Sequence, residues 1–228
     1  MELSVAVCEV ASGREAAYGP DRTYVTASVV KVAILAALLL RVRDAGGWLD
    51  PEHERLAGLM IERSDNEAAT ELREAAGGVA ALDAAHARLG MTATTAAPEW
   101  GLTTTTAGDQ LTLLKAVFAP GYGAAGGGEP VLDARSRTYV AGLMGRVVPG
   151  QDWGVSAADP GRAGGAGGGL KNGWMPRTEG GLWVVHSVGR VAGCLVAVLS
   201  DGHATKEEGI ARVEEAAVAA VRRIGEAA

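Results

Sequence analysis

The chain has 228 residues, of which 48% are hydrophobic and 21% are charged, with a net charge of −6 and a pI of about 5.3. This composition is typical of a packed globular protein and argues against a disordered chain. The acidic balance argues against nucleic acid as the main partner, because phosphate binding needs a basic surface. The length fits one large domain or two interleaved lobes.

The cysteines and the apolar stretches indicate the cellular setting. Cys8 and Cys194 are too few for a disulfide scaffold, and both lie in apolar runs, so we interpret them as free buried thiols. The chain opens on the alternating run Leu3–Val7, without the basic segment or cleavage site of a secretory leader. The longest apolar stretch, Val32–Leu40, is far shorter than the ~20 residues of a membrane span. We therefore expect a soluble, cytoplasmic protein with no signal peptide.

The first half of the chain is predicted to begin with strands and continue as helices. Residues 3–10 and about 14–19 have the pattern of two short strands joined at Ser12-Gly13. Ser28 then opens a run that is apolar on nearly every face up to Leu40, which is typical of a buried helix. Apolar spacing between Gly and Pro residues predicts further helices at Glu52–Arg63, Asn66–Ala76, Val79–Leu89, Ala107–Phe118 and Ala134–Arg146.

The second half is predicted to return to strands. The glycine-rich segments Gly121–Gly128 and Gly161–Gly169 are interpreted as loops, because neither has the strand and the Lys-Ser/Thr sequel of a phosphate loop. Gly189-Arg190 is predicted to be a tight hairpin turn. The remaining elements are three strands and a closing amphipathic helix, at about Gly168–Trp174, Leu182–Val188, Ala192–Leu199 and Glu207–Ile224.

This order of elements predicts an α+β fold. We expect a five-stranded antiparallel sheet flanked by helices, with an all-helical insert between the second and third strands. Residues 1–27 and 154–228 should form the lobe that carries the sheet, and residues 28–153 should form the helical lobe. The two lobes are expected to make one interleaved catalytic unit.

Three short motifs are candidates for chemistry. They are Ser28-Val29-Val30-Lys31, Ser64-Asp65-Asn66 and Lys171-Asn172-Gly173. The chain has only two asparagines and four lysines, and both asparagines and two of the lysines lie in these motifs. Arginine carries most of the other positive charge. Lysine can lose its proton when it is buried, whereas arginine effectively cannot, so lysine at these places favours lysine-specific chemistry.

The first motif predicts an activated nucleophile. Ser28 at a helix N-terminus and Lys31 three residues later lie on the same helix face, about one turn apart. Because the helix is predicted to be buried, the pKa of the Lys31 ammonium should fall. Neutral Lys31 could then take the Ser28 proton without a histidine. The backbone N–H of Ser28 would face the site as an oxyanion donor.

The three motifs, in this order, resemble the signature of class A β-lactamases and penicillin-binding enzymes, with Lys-Asn-Gly in place of Lys-Thr-Gly. The resemblance covers nearly the whole chain. The run Thr103–Thr106 is similar to the threonine-rich stretch that follows the omega loop in that family. The segment from Trp153 to Trp174 resembles an actinobacterial branch of β-lactamase-related serine hydrolases.

The resemblance implies catalytic roles for four residues. Ser28 would attack a carbonyl and become acylated, with Lys31 as its base. Ser64 would relay a proton to the leaving nitrogen. Lys171 would supply positive potential near Ser64 and the substrate carboxylate. The backbone N–H groups of Ser28 and Trp174 would form the oxyanion hole.

The resemblance also implies a substrate-binding set. Asn66 would bind the side-chain amide of the substrate. The full predicted set is Asn66, Asn172, Gly173, Trp174 and Arg177. Asn172 replaces the usual Thr or Ser, and its amide can still donate, although it is bulkier than a hydroxyl. Arg177 is a second candidate for the carboxylate contact, or else a surface arginine.

The omega-loop base of class A β-lactamases has no clear counterpart. The corresponding stretch, about Met91–Thr103, is short and contains one carboxylate, Glu99. Glu99 is the possible deacylation residue; the alternative is a charged loop residue that faces solvent. Without such a base, deacylation of a β-lactam should be slow.

The motifs therefore favour a serine hydrolase that forms an acyl-enzyme with a small-molecule amide, lactam or peptide substrate. The alternatives are a biosynthetic transacylase or cyclase that passes the acyl group to an amine, and a slowly deacylating penicillin-binding sensor. No metal or cofactor is expected, because the four histidines lack metal-ligand spacing. We expect a monomer that binds neither nucleic acid nor a membrane.

Overall fold

The computed structural model describes residues 1–19, 21–123, 129–159, 168–176 and 180–226. The predicted site residue Arg177 lies outside these ranges, as do parts of both glycine-rich segments. Within the described ranges, no helix is both long and apolar enough to cross a membrane.

The centre of the fold is a five-stranded antiparallel sheet with the strand order β2-β1-β7-β6-β5. A separate two-stranded pair joins β3 to β4. The strands are β1 (Glu2–Glu9), β2 (Glu15–Tyr18), β3 (Tyr24–Val25), β4 (Thr104–Thr105), β5 (Gly169–Pro176), β6 (Trp183–Val191) and β7 (Cys194–His203). The predicted α+β fold with a five-stranded antiparallel sheet is confirmed. β5 is an edge strand, so one side of its backbone is free of strand pairing.

The helices lie largely between β3 and β5 in the chain. They are α1 (Val30–Asp44), α2 (Pro51–Glu62), α3 (Asn66–Ala76), α4 (Gly78–Leu89), α5 (Ala107–Phe118), α6 (Ala134–Met144) and α7 (Lys206–Glu226). Short polar side chains begin several of them: Asp65 accepts from Ala68 N at the start of α3, and Thr106 accepts from Asp109 N at the start of α5. Such caps satisfy backbone N–H groups that have no partner inside the helix.

α1 is the buried helix of the helical layer. It packs against α2, α3, α4 and α6, and every residue from Val30 to Leu40 is buried. Its apolar side chains contribute on the order of 1.5–3 kcal/mol each on full burial. Within that run Lys31 is the one charged residue, and it is fully buried. The helix thus places a lysine in an apolar interior.

The sheet separates two apolar cores. Leu195, Ala197 and Leu199 on β7 pack towards α1 and α5, whereas Val196 and Val198 pack on the opposite face with α7. This alternation follows from the two-residue period of a strand. Side chains of one strand therefore reach different sides of the molecule, which matters for β5. The division into a sheet lobe and a helical lobe at residues 27 and 154 stays a prediction.

The turn between β6 and β7 differs from the predicted Gly189-Arg190 hairpin. β6 continues to Val191, and the turn is formed by Ala192 and Gly193, both with positive φ. Gly189 lies inside the strand, where an added Cβ would stand 2.3 Å from the carbonyl oxygen of Gly169. The glycine therefore permits the close approach of β5 to β6 and does not form the turn.

His86 on α4 is a buried titratable group outside the three motifs. Its side chain is 1% exposed, and neither ring nitrogen has a hydrogen bond among the described residues. Burial lowers the pKa of the imidazole from its ordinary 6.5, although the Asp83 carboxylate 3.7 Å from Nδ1 opposes the shift. The folded protein therefore resists binding a proton that the unfolded chain accepts.

We expect the free energy of unfolding to fall as pH falls below about 6.5, because the unfolded state then binds more protons than the folded state. One such group contributes at most about 1.4 kcal/mol per pH unit. His86→Leu should flatten this dependence in denaturant titrations between about pH 5 and pH 7.5. His53→Gln, at a half-exposed histidine, is the control and should keep it. Identical pH dependence in the wild type and His86→Leu would contradict the assignment.

Candidate active site

Ser28 lies where β3 turns into α1. A 3-10 turn, Ala27–Val29, leads directly into the helix, and Val29 N donates to Thr26 O at 3.2 Å. Ala27 has φ +45°, a left-handed conformation that is strained for a residue with a Cβ atom. Thr26 N donates to Thr103 O at 2.8 Å, which joins this turn to the segment before α5. The surrounding structure thus holds Ser28, half-buried, in one position at the helix start.

Lys31 is one turn further along α1 and is held by the second motif. Its Nζ donates to Ser64 O at 2.6 Å, to Asn66 Oδ1 at 2.7 Å and to Ser64 Oγ at 3.2 Å. Three acceptors match the three N–H groups of an ammonium. Among the described residues, no hydrogen bond joins Lys31 Nζ to Ser28 Oγ. The structure therefore brings the first two motifs together through Ser64 and Asn66.

Lys171 on β5 reaches the same hydroxyl from the sheet. Its Nζ donates to Ser64 Oγ at 3.0 Å and to the carbonyl oxygen of Asn172 at 2.8 Å. The Ser64 hydroxyl thus lies between two buried lysine side chains. Ser64 itself has φ +58°, again in the left-handed region. Strained backbone at two site positions, Ala27 and Ser64, is typical of functional geometry that the rest of the fold enforces.

The surroundings of both lysines disfavour the charged ammonium form. Burial lowers the pKa of the Lys31 ammonium to about 7, and the nearby Asp65 carboxylate opposes this shift. Burial also lowers the pKa of Lys171 well below its usual range, and the charge on Lys31 adds to that effect. A substantial fraction of Lys31 is therefore a neutral amine near neutral pH.

The neutral form of Lys31 has a defined hydrogen-bond geometry. An amine has two N–H groups and one lone pair, and the Ser64 carbonyl and the Asn66 carbonyl oxygen can only accept. These two short contacts use both N–H groups. The lone pair is left for a hydroxyl donor, either Ser64 Oγ at 3.2 Å or Ser28 Oγ one turn earlier. The arrangement can accept a proton from a serine.

Gly173 brings β5 against the start of α1. A Cβ at this position would stand 2.9 Å from Ser28 N, 2.9 Å from Val29 N and 3.0 Å from Thr26 O. Only glycine allows this contact without a shift of one backbone or the other. The free edge of β5 at Gly173 and Trp174 therefore lies beside the backbone N–H of Ser28. The oxyanion role of Ser28 and Trp174 stays a prediction that this proximity supports.

The structure does not bring the Asn172 side chain to the other motif residues. Strand alternation directs it to the face opposite Lys171 and Gly173, and it is fully buried. Its Nδ2 donates to the carbonyl oxygens of Gln151 at 2.9 Å and Trp153 at 3.0 Å. Both amide hydrogens are thus used inside the protein. The predicted contact of Asn172 with the substrate carboxylate is not supported, because its donors are already satisfied.

Asn66 lies where a substrate could reach it, whereas the Trp174 side chain lies on the other face of β5. Asn66 is exposed, and its carbonyl oxygen is occupied by Lys31, which leaves its N–H groups for a ligand. The Trp174 ring packs edge-on against Trp153, with ring centroids 5.8 Å apart, and Lys206 Nζ lies 4.2 Å from the Trp174 ring centroid. The Trp174 side chain therefore lies on the same face of β5 as Asn172, opposite Lys171, and its predicted substrate role rests on its backbone N–H.

Glu99 is exposed, and its neighbour Trp100 takes the place closest to the lysine. The Trp100 ring centroid lies 4.9 Å from Lys31 Nζ. Among the described residues, no carboxylate forms an ion pair or hydrogen bond with Lys31. A cleft of about 380 Å³ beside Trp100 is lined in part by Leu102 and Met175. Trp100 is not among the residues predicted for the site from the sequence; the available signal was an aromatic residue directly after Glu99, the single carboxylate of the Met91–Thr103 stretch.

His186 contacts β3, the strand that leads to Ser28. It is fully buried on β6, with Nε2 2.8 Å from the carbonyl oxygen of Val25, and its Nδ1 accepts from Ser200 N at 3.0 Å. Burial lowers the pKa of His186 to about 4, so the ring is neutral and Nε2–H is the donor. Within the described part of the chain, no cluster of three or more His, Cys, Asp or Glu side chains is arranged to hold a metal ion.

Comparison with known proteins gives one family. The family model described as "Beta-lactamase enzyme family" matches residues 48–227. The matched region includes the second and third motifs, and it begins after Ser28 and Lys31. No curated protein matches the chain at a significant level.

Solved structures of class A β-lactamases share the fold. The class A β-lactamase of the last common ancestor of Gram-negative bacteria is 26% identical to this chain. Its TM-score is 0.75, over 97% of this chain and 93% of its own. A β-lactamase from Burkholderia vietnamiensis is 24% identical, with a TM-score of 0.78 over 99% and 92%. A class A β-lactamase from Mycobacterium abscessus is 21% identical, with a TM-score of 0.75 over 98% and 94%. The last two likenesses concern the fold alone.

Gly173→Ala should lower the free energy of unfolding by about 1–3 kcal/mol, because the new methyl group meets three backbone atoms around Ser28. Gly58→Ala is the matched control. Its Cβ enters open space on α2, and it should leave stability unchanged or raise it by about 0.5–1 kcal/mol. Urea denaturation measures both. Equal stability of the two variants would show that β5 does not press on the helix start.

Proposed function

The chain belongs to the β-lactamase enzyme family and is a serine hydrolase of that type, and on this premise we propose that it forms an acyl-enzyme on Ser28 with a substrate that carries an amide or β-lactam bond. The observation that carries the proposal is the pair of buried lysines that share the Ser64 hydroxyl, with Lys31 one helical turn after Ser28. Such a pair has no evident structural benefit, because buried ammonium groups cost stability.

In the acylation step, Ser28 Oγ attacks the carbonyl carbon while its proton passes to the neutral amine of Lys31. The carbonyl oxygen becomes an oxyanion, which the N–H groups of Ser28 and Trp174 would stabilise. The C–N bond then breaks, and the leaving nitrogen takes a proton from Ser64. Ser64 recovers its proton from the Lys31 ammonium, so that the amine is neutral again at the end of the step.

Lys171 assists this step electrostatically. Its hydrogen bond to Ser64 Oγ, at 3.0 Å, holds the hydroxyl between the two lysines. A proton on Lys171 would attract a substrate carboxylate to the same end of the site. The low pKa of Lys171 means that an incoming anion would favour the protonated form. Carboxylate binding and the charge of Lys171 are thus expected to be coupled.

Substrate contacts follow from the walls of the site. The free N–H groups of Asn66 would donate to a carbonyl of the substrate side chain. The cleft beside Trp100 has an apolar side, Leu102 and Met175, that suits an apolar acyl group, and its lining also includes Arg73 and Glu99. Asn172 is left out of the proposed contacts because its donors are used within the protein.

A second candidate is transfer of the acyl group to an amine acceptor, as in a biosynthetic transacylase or cyclase. The observation that favours it is the absence of a carboxylate partner at Lys31 among the described residues, with Glu99 exposed. Hydrolysis needs a base for the attacking water, whereas an amine is already nucleophilic. A slowly deacylating penicillin-binding sensor is consistent with the same observation.

Incubation with a penicillin or a cephalosporin should add the mass of the opened lactam to the protein, as read by intact mass spectrometry. Ser28→Ala should give no adduct. Ser12→Ala, at an exposed serine on the β1–β2 turn, is the control and should acylate like the wild type. An adduct on Ser28→Ala would refute the nucleophile.

The fate of the adduct separates the candidates. Loss of the adduct in water without an added acceptor supports a hydrolase. Loss only when a small amine is supplied, together with the acylated amine as product, supports transfer. An adduct that persists in both conditions supports the sensor.

Glu99→Gln should leave the lifetime of the adduct unchanged within about two-fold, because a general base is worth on the order of 10²–10⁴-fold and the exposed Glu99 is not expected to act as one. Glu67→Gln, at another exposed carboxylate near the site, is the matched control. Mass spectra over time after removal of free β-lactam give the lifetimes. A slowing of ten-fold or more (about 1.4 kcal/mol) in Glu99→Gln alone would identify Glu99 as the deacylation base.

A further inference from the structure

The indole of Trp100 lies between the Lys31 amine and the open cleft. Lys31 is fully buried, whereas Trp100 is half-buried and lines the cleft. The ring centroid stands 4.9 Å from Nζ. The acceptors of Nζ, Ser64 and Asn66, come from the α3 end of the site. Trp100 therefore covers a side of the amine that would otherwise face solvent.

Helix α3 holds Trp100 in this position. The indole Nε1 donates to Thr70 Oγ1 at 3.1 Å, and the Thr70 hydroxyl donates to Asn66 O at 3.1 Å. Arg73 donates to the carbonyl oxygen of Pro98, two residues before the tryptophan. Asn66, Thr70 and Arg73 have i, i+4, i+7 spacing and so share one helix face. The same face thus supplies an acceptor to Lys31 and anchors the residue that covers it.

We propose that Trp100 is a positioning residue for acylation, which acts by closing the solvent side of the Lys31 amine. The inference rests on the proposed function for its catalytic meaning, since Lys31 is the proposed base. The indole would also keep water away from the side of Nζ that it covers. Trp100 contacts the Lys31 amine but exchanges no proton itself, so it acts through Lys31.

Two effects of the indole on the pKa of Lys31 oppose each other. The negative face of the ring attracts an ammonium and favours the charged form. Exclusion of water disfavours the charged form, and we expect this effect to be the larger one because Lys31 has no carboxylate partner among the described residues. The other charges near the amine are Asp65, which raises the pKa of Lys31, and Lys171, whose own pKa is lowered by the charge on Lys31. Glu99, beside the indole, is exposed.

The pKa of Lys31 can be measured without any substrate. The chain has only four lysines, so protein labelled with ¹³C at lysine Cε gives four signals in an NMR titration. Loss of one signal in Lys31→Met assigns Lys31. In Trp100→Ala the pKa of Lys31 should rise by about one unit or more, which lowers the fraction of neutral amine about five-fold at pH 7 and about ten-fold at lower pH. Trp100→Phe keeps a ring over Nζ and should restore the pKa to within about half a unit.

Trp48→Ala is the matched control. Trp48 is also a half-buried indole on the helical core, with Arg135 stacked 3.8 Å from its ring centroid. This variant should leave the pKa of Lys31 unchanged. That result would distinguish local shielding of Lys31 by Trp100 from a general effect of lost packing. If Trp100→Ala does not fold, Trp100→Leu gives the same test with a smaller expected rise. An unchanged or lower pKa in the folded Trp100 variant would overturn the proposal.

The acylation rate gives the catalytic readout. The rate should rise with pH through the pKa of Lys31, and Trp100→Ala should move this rise to higher pH by the amount measured by NMR. If the pKa of Lys31 rises in Trp100→Ala but the wild type forms no adduct, the proposed function is refuted and the role of Trp100 in shielding Lys31 is supported. If Trp100→Ala forms the adduct normally and its Lys31 pKa and pH–rate profile are unchanged, the role of Trp100 is refuted and the proposed function is supported.

Discussion

The site depends on the burial of two lysine side chains around one serine hydroxyl. Lys31 and Lys171 both donate to Ser64 Oγ, at 3.2 and 3.0 Å, in a place from which water is excluded. Two ammonium groups so close together and so desolvated disfavour each other's charge. Burial, which lowers the pKa of Lys31 to about 7, supplies a neutral amine without a histidine. It also costs stability, which the apolar packing of α1 and the sheet must offset.

Three parts of the chain, far apart in sequence, have to meet for this to happen. α1 carries Lys31, the turn before α3 carries Ser64, and β5 carries Lys171. The approach of β5 to the start of α1 requires a residue without a side chain, and Gly173 meets that requirement. Ala27 and Ser64 both adopt left-handed backbone conformations, so the fold holds the site against local preference. The site is therefore a property of the packed molecule as a whole.

The environment of the lysines also bears on the proposed release of the acyl group. Where a class A enzyme resembling this chain would have its omega-loop glutamate, the described residues place an indole on Lys31 and leave Glu99 in solvent. An aromatic face can shield an amine, but it cannot take a proton from water. The described residues therefore supply candidate groups for the proposed acylation but no evident base for the proposed deacylation.

The sequence by itself determined the secondary structure pattern, the α+β fold and the three motifs, because apolar periodicity and rare residue types are local signals. It placed Ser28 and Lys31 on one helix face, since spacing decides that. Only the tertiary structure decided that Asn172 turns away to two backbone carbonyls and that Trp100 lies on Lys31. The face of an edge strand and the reach of a short loop depend on the elements that pack beside them. A contact between two segments that are distant in the chain produces no periodic pattern in the sequence of either segment.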